Sequence, residues 1–249
     1  MKIIFIAAGS STRLGKLTLN FPKGLIKINN NSIIGTQIDL FKNKNFNGII
    51  IITGPNSDKF DFDDVIYIND INHMKHDVLG SLMVAKSYMN DEIITTYSDI
   101  VFDEKILNSI IEFTGDFGIA VDLNWKIKYV NRDQHPVSEA DNVVIDNGKI
   151  LEIRKNITKC EDNQVIGEFL GLMKLSKNGA KIFKDKYSEL VKSHTGKFHN
   201  APSLKRAYLT DMLQELINSG IKISPILVNG NWCEIDTLQD LEMAKKILK

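Results

Sequence analysis

Short apolar runs alternate, in the first half of the chain, with segments in which apolar residues recur every three or four positions. Runs rich in isoleucine and valine predict strands, at residues 2–7, 48–53, 65–68, 92–99 and 117–122. Helical spacing predicts helices between them, at residues 32–44, 77–89 and 103–114, the last two with Asp77 and Asp103 as N-caps. This alternation predicts an α/β fold, with a Rossmann-like three-layer architecture and a mixed, mainly parallel sheet.

The pattern changes after residue 122. Two apolar segments flank Asn147-Gly148, which predicts a β-hairpin over residues 142–153. Beyond it the pattern predicts strands at residues 165–175 and 222–228 and helices at residues 176–193, 204–219 and 237–248. We interpret residues 1–249 as a single domain in which residues 122–175, approximately, form a small β-rich inserted segment.

Composition and charge narrow the classes of function. The chain has 249 residues, 43% of them hydrophobic, with 31 basic and 31 acidic residues. A balanced charge argues against nucleic acid or an anionic membrane as a partner, so an anionic ligand must be held by a few local cations. Cys160 and Cys233 have neither metal-site spacing nor a disulfide pattern, which favours the cytoplasm. The apolar start is too short for a signal peptide, and no segment approaches the ~20 apolar residues of a membrane span.

The loop after the first strand, "IAAGSSTRLGKLTLNFPKGL" (residues 6–25), is a candidate anion site. Its small residues allow backbone N–H groups to approach an anion closely, and they are Ala7, Ala8, Gly9, Ser10 and Ser11. Arg13 offers a bidentate fork, and Lys23 offers a compact charge after the rigid Pro22. The alternative is a tight turn with two surface cations. A dehydrogenase is disfavoured because the G-x-G-x-x-G turn is missing.

Acidic residues follow two other predicted strands. Asp99 ends the strand at residues 92–98, and Glu234 and Asp236 lie two positions apart in "WCEIDT", so both point the same way in an extended segment. Carboxylates that meet at a sheet edge suit Mg²⁺. The alternative is that Asp99 and Asp236 are caps, with Thr237 and Asp240 forming a competing capping box.

The combination of "AAGSSTRL" and "FPKGL" resembles the signature of nucleotidyltransferases that activate sugar phosphates and small phosphate alcohols, and "YSD" and "EIDT" resemble their metal positions. The resemblance implies that the loop wraps the nucleotide, that Arg13 and Lys23 are the catalytic cations on its phosphates, and that Asp99, Glu234 and Asp236 bind Mg²⁺. The implied nucleotide-binding residues are Ala7, Ala8, Gly9, Ser10, Ser11, Thr12, Arg13, Lys23, Ser81 and Ser98.

Four later blocks resemble, more narrowly, the choline-phosphate and 2-aminoethylphosphonate cytidylyltransferases. They are residues 121–143, 150–157, 167–176 and 207–237. This resemblance implies CTP as the nucleotide and a small phosphate or phosphonate acceptor, usually with an amine. It also implies that "NHMKHDVLGSL" (residues 72–82) helps to recognise the pyrimidine.

The same blocks contain side chains suited to such an acceptor. Trp125 and Tyr129 can form an aromatic wall for a cationic head group. The carboxylates predicted to pair with an ammonium are Asp122, Glu139 and Glu168. Lys155 is predicted to meet the acceptor's phosphate, and His135 to contact the acceptor. The alternatives are that Trp125 is a core residue, that His135 is a turn residue, and that the charges form a solvated flap.

The sequence therefore predicts a Mg²⁺-dependent cytidylyltransferase that joins CMP from CTP to phosphocholine, 2-aminoethylphosphonate or a similar acceptor and releases pyrophosphate. One alternative is a sugar-1-phosphate nucleotidyltransferase that uses UTP or dTTP. Another is a non-catalytic nucleotide-binding subunit. We expect a monomer or a homodimer, and the acceptor stays open.

Overall fold

The structure is a computed structural model that describes residues 1–9, 14–44 and 46–247. Its strands are β1 (Lys2–Ala7), β2 (Lys27–Ile28), β3 (Asn31–Ser32), β4 (Ile49–Thr53), β5 (Val65–Asn69), β6 (Ile93–Tyr97), β7 (Ile100–Phe102), β8 (Phe117–Asp122), β9 (Asp141–Asp146), β10 (Lys149–Lys155), β11 (Val165–Leu175), β12 (Ser224–Leu227) and β13 (Trp232–Glu234). Its α-helices are α1 (Ile33–Lys42), α2 (Val78–Val84), α3 (Glu104–Glu112), α4 (Lys177–Ser193), α5 (Leu209–Asn218) and α6 (Leu238–Ile247).

In the described part of the chain, the central sheet has nine strands, in the order β10-β9-β11-β6-β1-β4-β5, with β8 paired to β11 and β12 paired to β8. β1 runs parallel to β4 and β6, and β4 runs parallel to β5. β11 runs antiparallel to β6, β8 and β9. The mixed, mainly parallel sheet that the strand–helix alternation predicted is confirmed.

Helices cover both faces of the sheet. Ile4 and Ile6 of β1 pack in a core with residues of α2, α4 and α5. Ile3 and Phe5 of the same strand point to the opposite face and pack in a second core with α1 and α3. Side chains alternate between the two faces of a strand, so an unbroken apolar run is the pattern expected where both faces are covered.

The local turn and cap signals are largely confirmed. Asp103 caps α3, because its Oδ1 accepts a hydrogen bond from the backbone N–H of Ile106 at 3.2 Å. Asn147 and Gly148 both have positive φ angles, 47° and 72°, as a two-residue hairpin turn between β9 and β10 requires. Asp77 does precede α2, but within the described chain its side chain caps no helix N–H.

Two helices are shorter than predicted. α2 ends at Val84 and is followed by a 3₁₀ turn, and α5 begins only at Leu209, after a 3₁₀ turn at Leu204–Arg206. At the start of α5, Asp211 Oδ2 accepts a hydrogen bond from the backbone N–H of Tyr208 at 2.9 Å, which marks the helix boundary. In the described part of the chain, none of the helices has the length and apolar character that spanning a membrane requires.

A small antiparallel sheet, which the sequence did not predict, joins two distant parts of the chain. β7 pairs with β13, with Ile100 opposite Glu234. The backbone N–H of Ile235 also donates to the carbonyl oxygen of Asp99 at 2.8 Å. This pairing brings the segment after β6 against the "EIDT" segment.

β9 and β10 extend the central sheet, because β9 pairs with residues Val165 to Glu168 of β11. The hairpin formed by β9 and β10 therefore lies at the edge of the sheet, with β11 between it and β6. The single-domain organisation, and acceptor binding by residues 122–175, stay predictions.

Candidate active site

The loop after β1 is positioned by a close backbone contact. A Cβ atom at Gly54, directly after β4, would lie 2.3 Å from the carbonyl oxygen of Ala8. Glycine therefore lets the loop after β4 pack directly against the loop after β1. Ala8 and Gly9 line the cleft at this sheet edge, whereas the roles predicted for Ser10, Ser11, Thr12 and Arg13 fall outside the described residues.

Lys23 is a buried residue at the centre of the site. Pro22 is extended, and Lys23 opens a 3₁₀ turn that ends at Leu25. The Lys23 side chain is 8% exposed, and its Nζ lies 2.8 Å from Asp99 Oδ2 and also contacts Asp236 Oδ1. This arrangement excludes the alternative in which Lys23 is a surface cation.

The carboxylates keep Lys23 charged. Burial by itself disfavours the ammonium ion, but the negative charges of Asp99 and Asp236 outweigh burial and raise the pKa of Lys23 above its usual value. The charged Lys23 ammonium therefore lies between two carboxylates, one in the segment after β6 and one in the segment after β13.

The capping interaction at α6 leaves Asp236 available for the site. Thr237 Oγ1 accepts from the backbone N–H of Asp240 at 3.2 Å, and Asp240 Oδ2 accepts from the backbone N–H of Thr237 at 2.9 Å. Thr237 and Asp240 thus form the capping box, as one alternative predicted, while the Asp236 carboxylate turns towards Lys23. Capping and site chemistry use different residues here.

Glu234 and His135 complete the acidic cluster. His135 Nδ1 lies 3.3 Å from Asp236 Oδ2, and His135 Nε2 lies 3.8 Å from Glu234 Oε2. Burial, and then the charges of Asp236 and Asp99, raise the pKa of Glu234 well above its usual value. This concentration of negative charge would stabilise a bound cation.

Two of the predicted metal ligands, Glu234 and Asp236, belong with His135 to a cluster that could hold a divalent cation. One ligand atom each of His135, Glu234 and Asp236 lie within 4.8 Å of one another. Asp99 Oδ1 is buried and has no hydrogen-bond partner among the described residues. Oxygen-rich ligand sets of this kind suit Mg²⁺. His135, predicted to lie near the acceptor, is placed beside this set.

A buried ion pair holds the acidic segment in place. Arg132 Nε donates to Asp240 Oδ1 at 2.6 Å, and Arg132 Nη2 donates to the carbonyl oxygen of Glu234 at 2.9 Å. Burial alone would raise the pKa of Asp240, but the hydrogen bond and charge of Arg132 hold it below its usual value. Arg132 was not predicted, because nothing in the local sequence identifies its partner on α6.

Arg132→Met is expected to lower the free energy of unfolding by about 3–5 kcal/mol, because it leaves the Asp240 carboxylate buried without its cation. Urea unfolding measures the change. The matched control is Arg154→Met, since Arg154 pairs with Glu152 at the surface, where both side chains are more than 40% exposed, and is expected to lose less than about 1 kcal/mol. Equal losses of unfolding free energy in the two variants would contradict the conclusion that Arg132 holds the acidic segment in place.

An open cleft of about 420 Å³ lies beside the loop after β1. The predicted nucleotide residues that line it are Ala7, Ala8, Gly9, Lys23, Ser81 and Ser98. Ser81 Oγ donates to the buried Asp70 Oδ2 at 2.9 Å, and His76 Nδ1 lies 3.0 Å from the same carboxylate. Asp70, which directly follows β5 and holds Ser81 and His76 beside the cleft, was not predicted.

A smaller inner pocket of about 60 Å³ adjoins the open cleft. The predicted acceptor residues that line it are His135, Glu139, Lys155 and Glu168. Six residues line both cavities, and they are Tyr97, Asp99, Asp141, Lys155, Glu234 and Asp236. The predicted metal ligands therefore stand at the junction, while Tyr97 and Asp141 are site residues that sequence reasoning missed.

The backbone of β11 shapes the inner pocket. Gly171 has a φ of +74°, and a Cβ atom there would lie 2.3 Å from the Tyr97 ring. A glycine is required on both counts, since L-residues rarely adopt this conformation and the ring occupies the space. The glycine lets Tyr97 stand between the two cavities.

Three predicted acceptor residues make contacts of a structural kind. Asp122 is buried and accepts from the Trp232 indole N–H at 2.8 Å. Trp125 is 4% exposed and donates its indole N–H to the carbonyl oxygen of Ile166 at 3.2 Å. Neither lines the two cavities among the described residues, so Trp125 fits the core alternative. Tyr129 does not line the two cavities among the described residues; it contacts the site through Glu168, to which its hydroxyl donates at 2.5 Å, and through the His135 ring, whose centroid is 5.9 Å from its own.

Burial makes two carboxylates of the inner pocket, on Glu168 and Asp141, difficult to ionise. Burial raises the pKa of Glu168 to about 8, although the hydrogen bond from Tyr129 opposes the shift. Burial also raises the pKa of Asp141 to about 6, opposed by the charge of Lys155. Carboxylates perturbed in this way beside a pocket are characteristic of a binding or catalytic site.

Comparison with known families gives a match over the first half of the chain. The family described as the MobA-like NTP transferase domain matches residues 3–137. The match includes the loop after β1, Lys23 and Asp99, and it ends just after His135.

Individual relatives match over different lengths. The CTP:phosphoglutamine cytidylyltransferase of Campylobacter jejuni is 27% identical over 256 aligned residues, which cover 98% of each chain. The choline-phosphate cytidylyltransferase of Streptococcus pneumoniae is 45% identical over 62 residues, which cover 25% of this chain and 27% of that protein. The resemblance to cytidylyltransferases predicted from the motifs is confirmed.

A solved structure matches the whole fold. The CTP:phosphocholine cytidylyltransferase of Streptococcus pneumoniae superposes with a TM-score of 0.74 at 21% sequence identity, covering 100% of this chain and 99% of that one. At this level of identity the likeness establishes the fold, and the predicted fold class is confirmed.

Proposed function

Since the chain belongs to the family of MobA-like NTP transferase domains, we propose that it is a cytidylyltransferase, which transfers CMP from CTP to a small phosphate or phosphonate and releases pyrophosphate. The relatives that act with CTP on phosphoglutamine and on choline phosphate support this choice of nucleotide. The observation that carries the proposal is the position of Lys23, between Asp99 and Asp236 at the junction of two adjoining cavities.

Each of the two cavities binds one of the two substrates. CTP occupies the open cleft, where small residues after β1 allow close backbone approach to phosphates and Ser81 faces the base. The acceptor occupies the inner pocket beside Glu168 and Lys155. The α-phosphate and the acceptor's phosphate then meet at the junction, next to Lys23.

An oxygen of the acceptor's phosphate attacks the α-phosphorus in line, and the bond from that phosphorus to the bridging oxygen of pyrophosphate breaks. The attacking oxygen is already anionic at neutral pH, so no strong general base is required. Catalysis is therefore positioning and charge neutralisation. Lys23 supplies a fixed positive charge for the leaving pyrophosphate, a role that we also assign to Arg13.

We further propose Mg²⁺ as the cofactor, held by Asp99, Glu234 and Asp236. When bound, the ion neutralises charge on the reacting phosphates. The buried, unpartnered Asp99 Oδ1 supports the assignment, within the part of the chain that the structure describes. A cytoplasmic location and a monomeric or homodimeric state stay predictions.

The proposal predicts a nucleotide preference that can be measured. The purified protein is incubated with Mg²⁺, inorganic pyrophosphatase and CTP, UTP or dTTP, together with phosphoethanolamine, phosphocholine, 2-aminoethylphosphonate or a sugar 1-phosphate. Phosphate release is expected with CTP and an amine-bearing acceptor, with kcat/KM at least about tenfold above that for UTP or dTTP. Turnover only of sugar 1-phosphates with UTP or dTTP contradicts the proposal. CTP binding without turnover of any acceptor indicates a non-catalytic subunit.

A further inference from the structure

Besides Asp99 Oδ1 at the junction, two buried carboxylate oxygens at the inner pocket have no hydrogen-bond donor in the described part of the chain. They are Asp141 Oδ1 and Glu168 Oε2, and neither has a partner among residues 1–9, 14–44 and 46–247. Glu168 is 3% exposed, and its other oxygen, Oε1, accepts from Tyr129. Both residues line the inner pocket.

Unsatisfied buried polar atoms are rare because they lose their hydrogen bonds to water and gain nothing in return. Two of them at one pocket therefore indicate a ligand that donates hydrogen bonds. Glu168 of β11 and Asp141 at the start of β9 both line this pocket of about 60 Å³, although they do not pair directly across the two strands. A small group bound in the pocket therefore lies beside both residues.

The charge of the pocket favours a cationic donor. Among the described residues, six carboxylates line it, and Lys23 lies between two of them, those of Asp99 and Asp236. The other four belong to Glu139, Asp141, Glu168 and Glu234. Lys155 also lines it, but its Nζ is engaged with Glu139 Oε2 at 2.7 Å. A bound cation would favour the ionised forms of Glu168 and Asp141, whose pKa values burial has raised.

The aromatic groups predicted for a cationic head group make other contacts. The guanidinium of Arg132 lies over the Tyr129 ring at 5.1 Å from its centroid, and Trp125 is buried. Of the aromatic residues that do line the pocket, Tyr97 and Phe169 pack edge to face on each other, with ring centroids 6.2 Å apart, and Lys128 Nζ lies over the ring of Trp232 at 6.0 Å. A trimethylammonium group depends on open aromatic faces, since it has no N–H to donate.

We infer that the acceptor carries a primary ammonium group, which donates hydrogen bonds to Asp141 Oδ1 and Glu168 Oε2. The inference rests on the proposed function and narrows it to acceptors with N–H donors, against acceptors with a quaternary ammonium. Asp141 and Glu168 are then specificity-determining residues. The other end of the acceptor, its phosphate, then faces Lys155 and the junction of the two cavities.

A methylation series tests the inference. With CTP and Mg²⁺, kcat/KM is measured for phosphoethanolamine, its N-methyl and N,N-dimethyl derivatives and phosphocholine. We expect kcat/KM to fall with methylation, by about 10–100-fold from the primary to the quaternary amine, mainly through KM. In Asp141→Asn and Glu168→Gln the series is expected to flatten. The exposed control Glu161→Gln should retain the wild-type series.

Phosphocholine turned over as well as phosphoethanolamine, or better, overturns the inference and leaves the cytidylyltransferase proposal standing. An unchanged series in both folded variants also overturns it, and the unpartnered oxygens then hold internal water only. Calorimetric Kd values of 2-aminoethylphosphonate and its N-trimethyl derivative on the wild-type protein decide the same question without turnover. Failure of CTP to bind or react counts instead against the proposed function.

Discussion

Replacing Lys23 with alanine is expected to lower kcat for CTP-dependent pyrophosphate release by about 10²–10³-fold, the usual cost of removing one preorganised charge from a reacting phosphate or oxyanion. The ammonium is fixed by Asp99 and Asp236, so it has little reorganisation left to make when charge develops on the leaving group. A steady-state assay with the preferred acceptor gives kcat and KM separately, and the loss should appear mainly in kcat.

The same substitution is expected to affect stability, which the sequence did not predict. Lys23 is buried, and its removal leaves Asp99 and Asp236 facing each other without a cation. Thermal unfolding should show a lower Tm for Lys23→Ala without Mg²⁺ and a larger rise in Tm on adding Mg²⁺ than in the wild type. The exposed Lys27 on β2 provides the matched control, Lys27→Ala.

An unchanged kcat in Lys23→Ala would remove Lys23 from the catalytic machinery. An unchanged Tm would show that the two carboxylates find other partners. The two readouts are independent, so a purely structural role for Lys23 is recognised by a lower Tm with normal kcat in the folded fraction.

Asp236→Asn is expected to lower kcat/KM by about 10³-fold, because it removes a carboxylate from the predicted metal set, and metal charge stabilisation is worth several kcal/mol in the transition state. Asp236 lies at the junction of both cavities and contacts Lys23 and His135. The affinity for Mg²⁺ should fall together with activity, and titration calorimetry with Mg²⁺ and CTP measures it without turnover.

The control for this substitution is Asp162→Asn, which makes the same change on the surface. Normal Mg²⁺ affinity and normal activity in Asp236→Asn would contradict the metal assignment. Lost activity with normal Mg²⁺ affinity would instead assign Asp236 to the positioning of Lys23, and the ligand set would then rest on Asp99 and Glu234.

Much of the candidate site was accessible from the sequence because its residues follow strands. Ala8, Lys23 and Asp99 were identified from the segments after β1 and β6, and carboxyl ends of parallel strands share one sheet edge. The competing cap assignments could not be resolved in the same way. Whether Asp236 or Thr237 caps α6 depends on the torsion angles of single residues, which the local sequence pattern does not specify.

The acceptor residues show the limit of sequence reasoning more sharply. Asp122 and Trp125 had suitable chemistry, but the fold uses them for contacts with Trp232 and Ile166. Asp141 was not predicted as a site residue, yet it lines both cavities. Residue type indicates what a side chain can bind, whereas strand pairing and packing decide what it faces.

The sequence by itself determined the elements of this protein, because the apolar runs, the helical spacing and the Asn147-Gly148 turn act over a few residues. It also determined which charged residues are available near the sheet edge. Only the tertiary structure decided their partners. β7 must pair with β13 before Asp99 meets the "EIDT" segment, and Arg132 must reach Asp240 on α6. Contacts between distant segments depend on the packing of the whole chain, which no local pattern specifies.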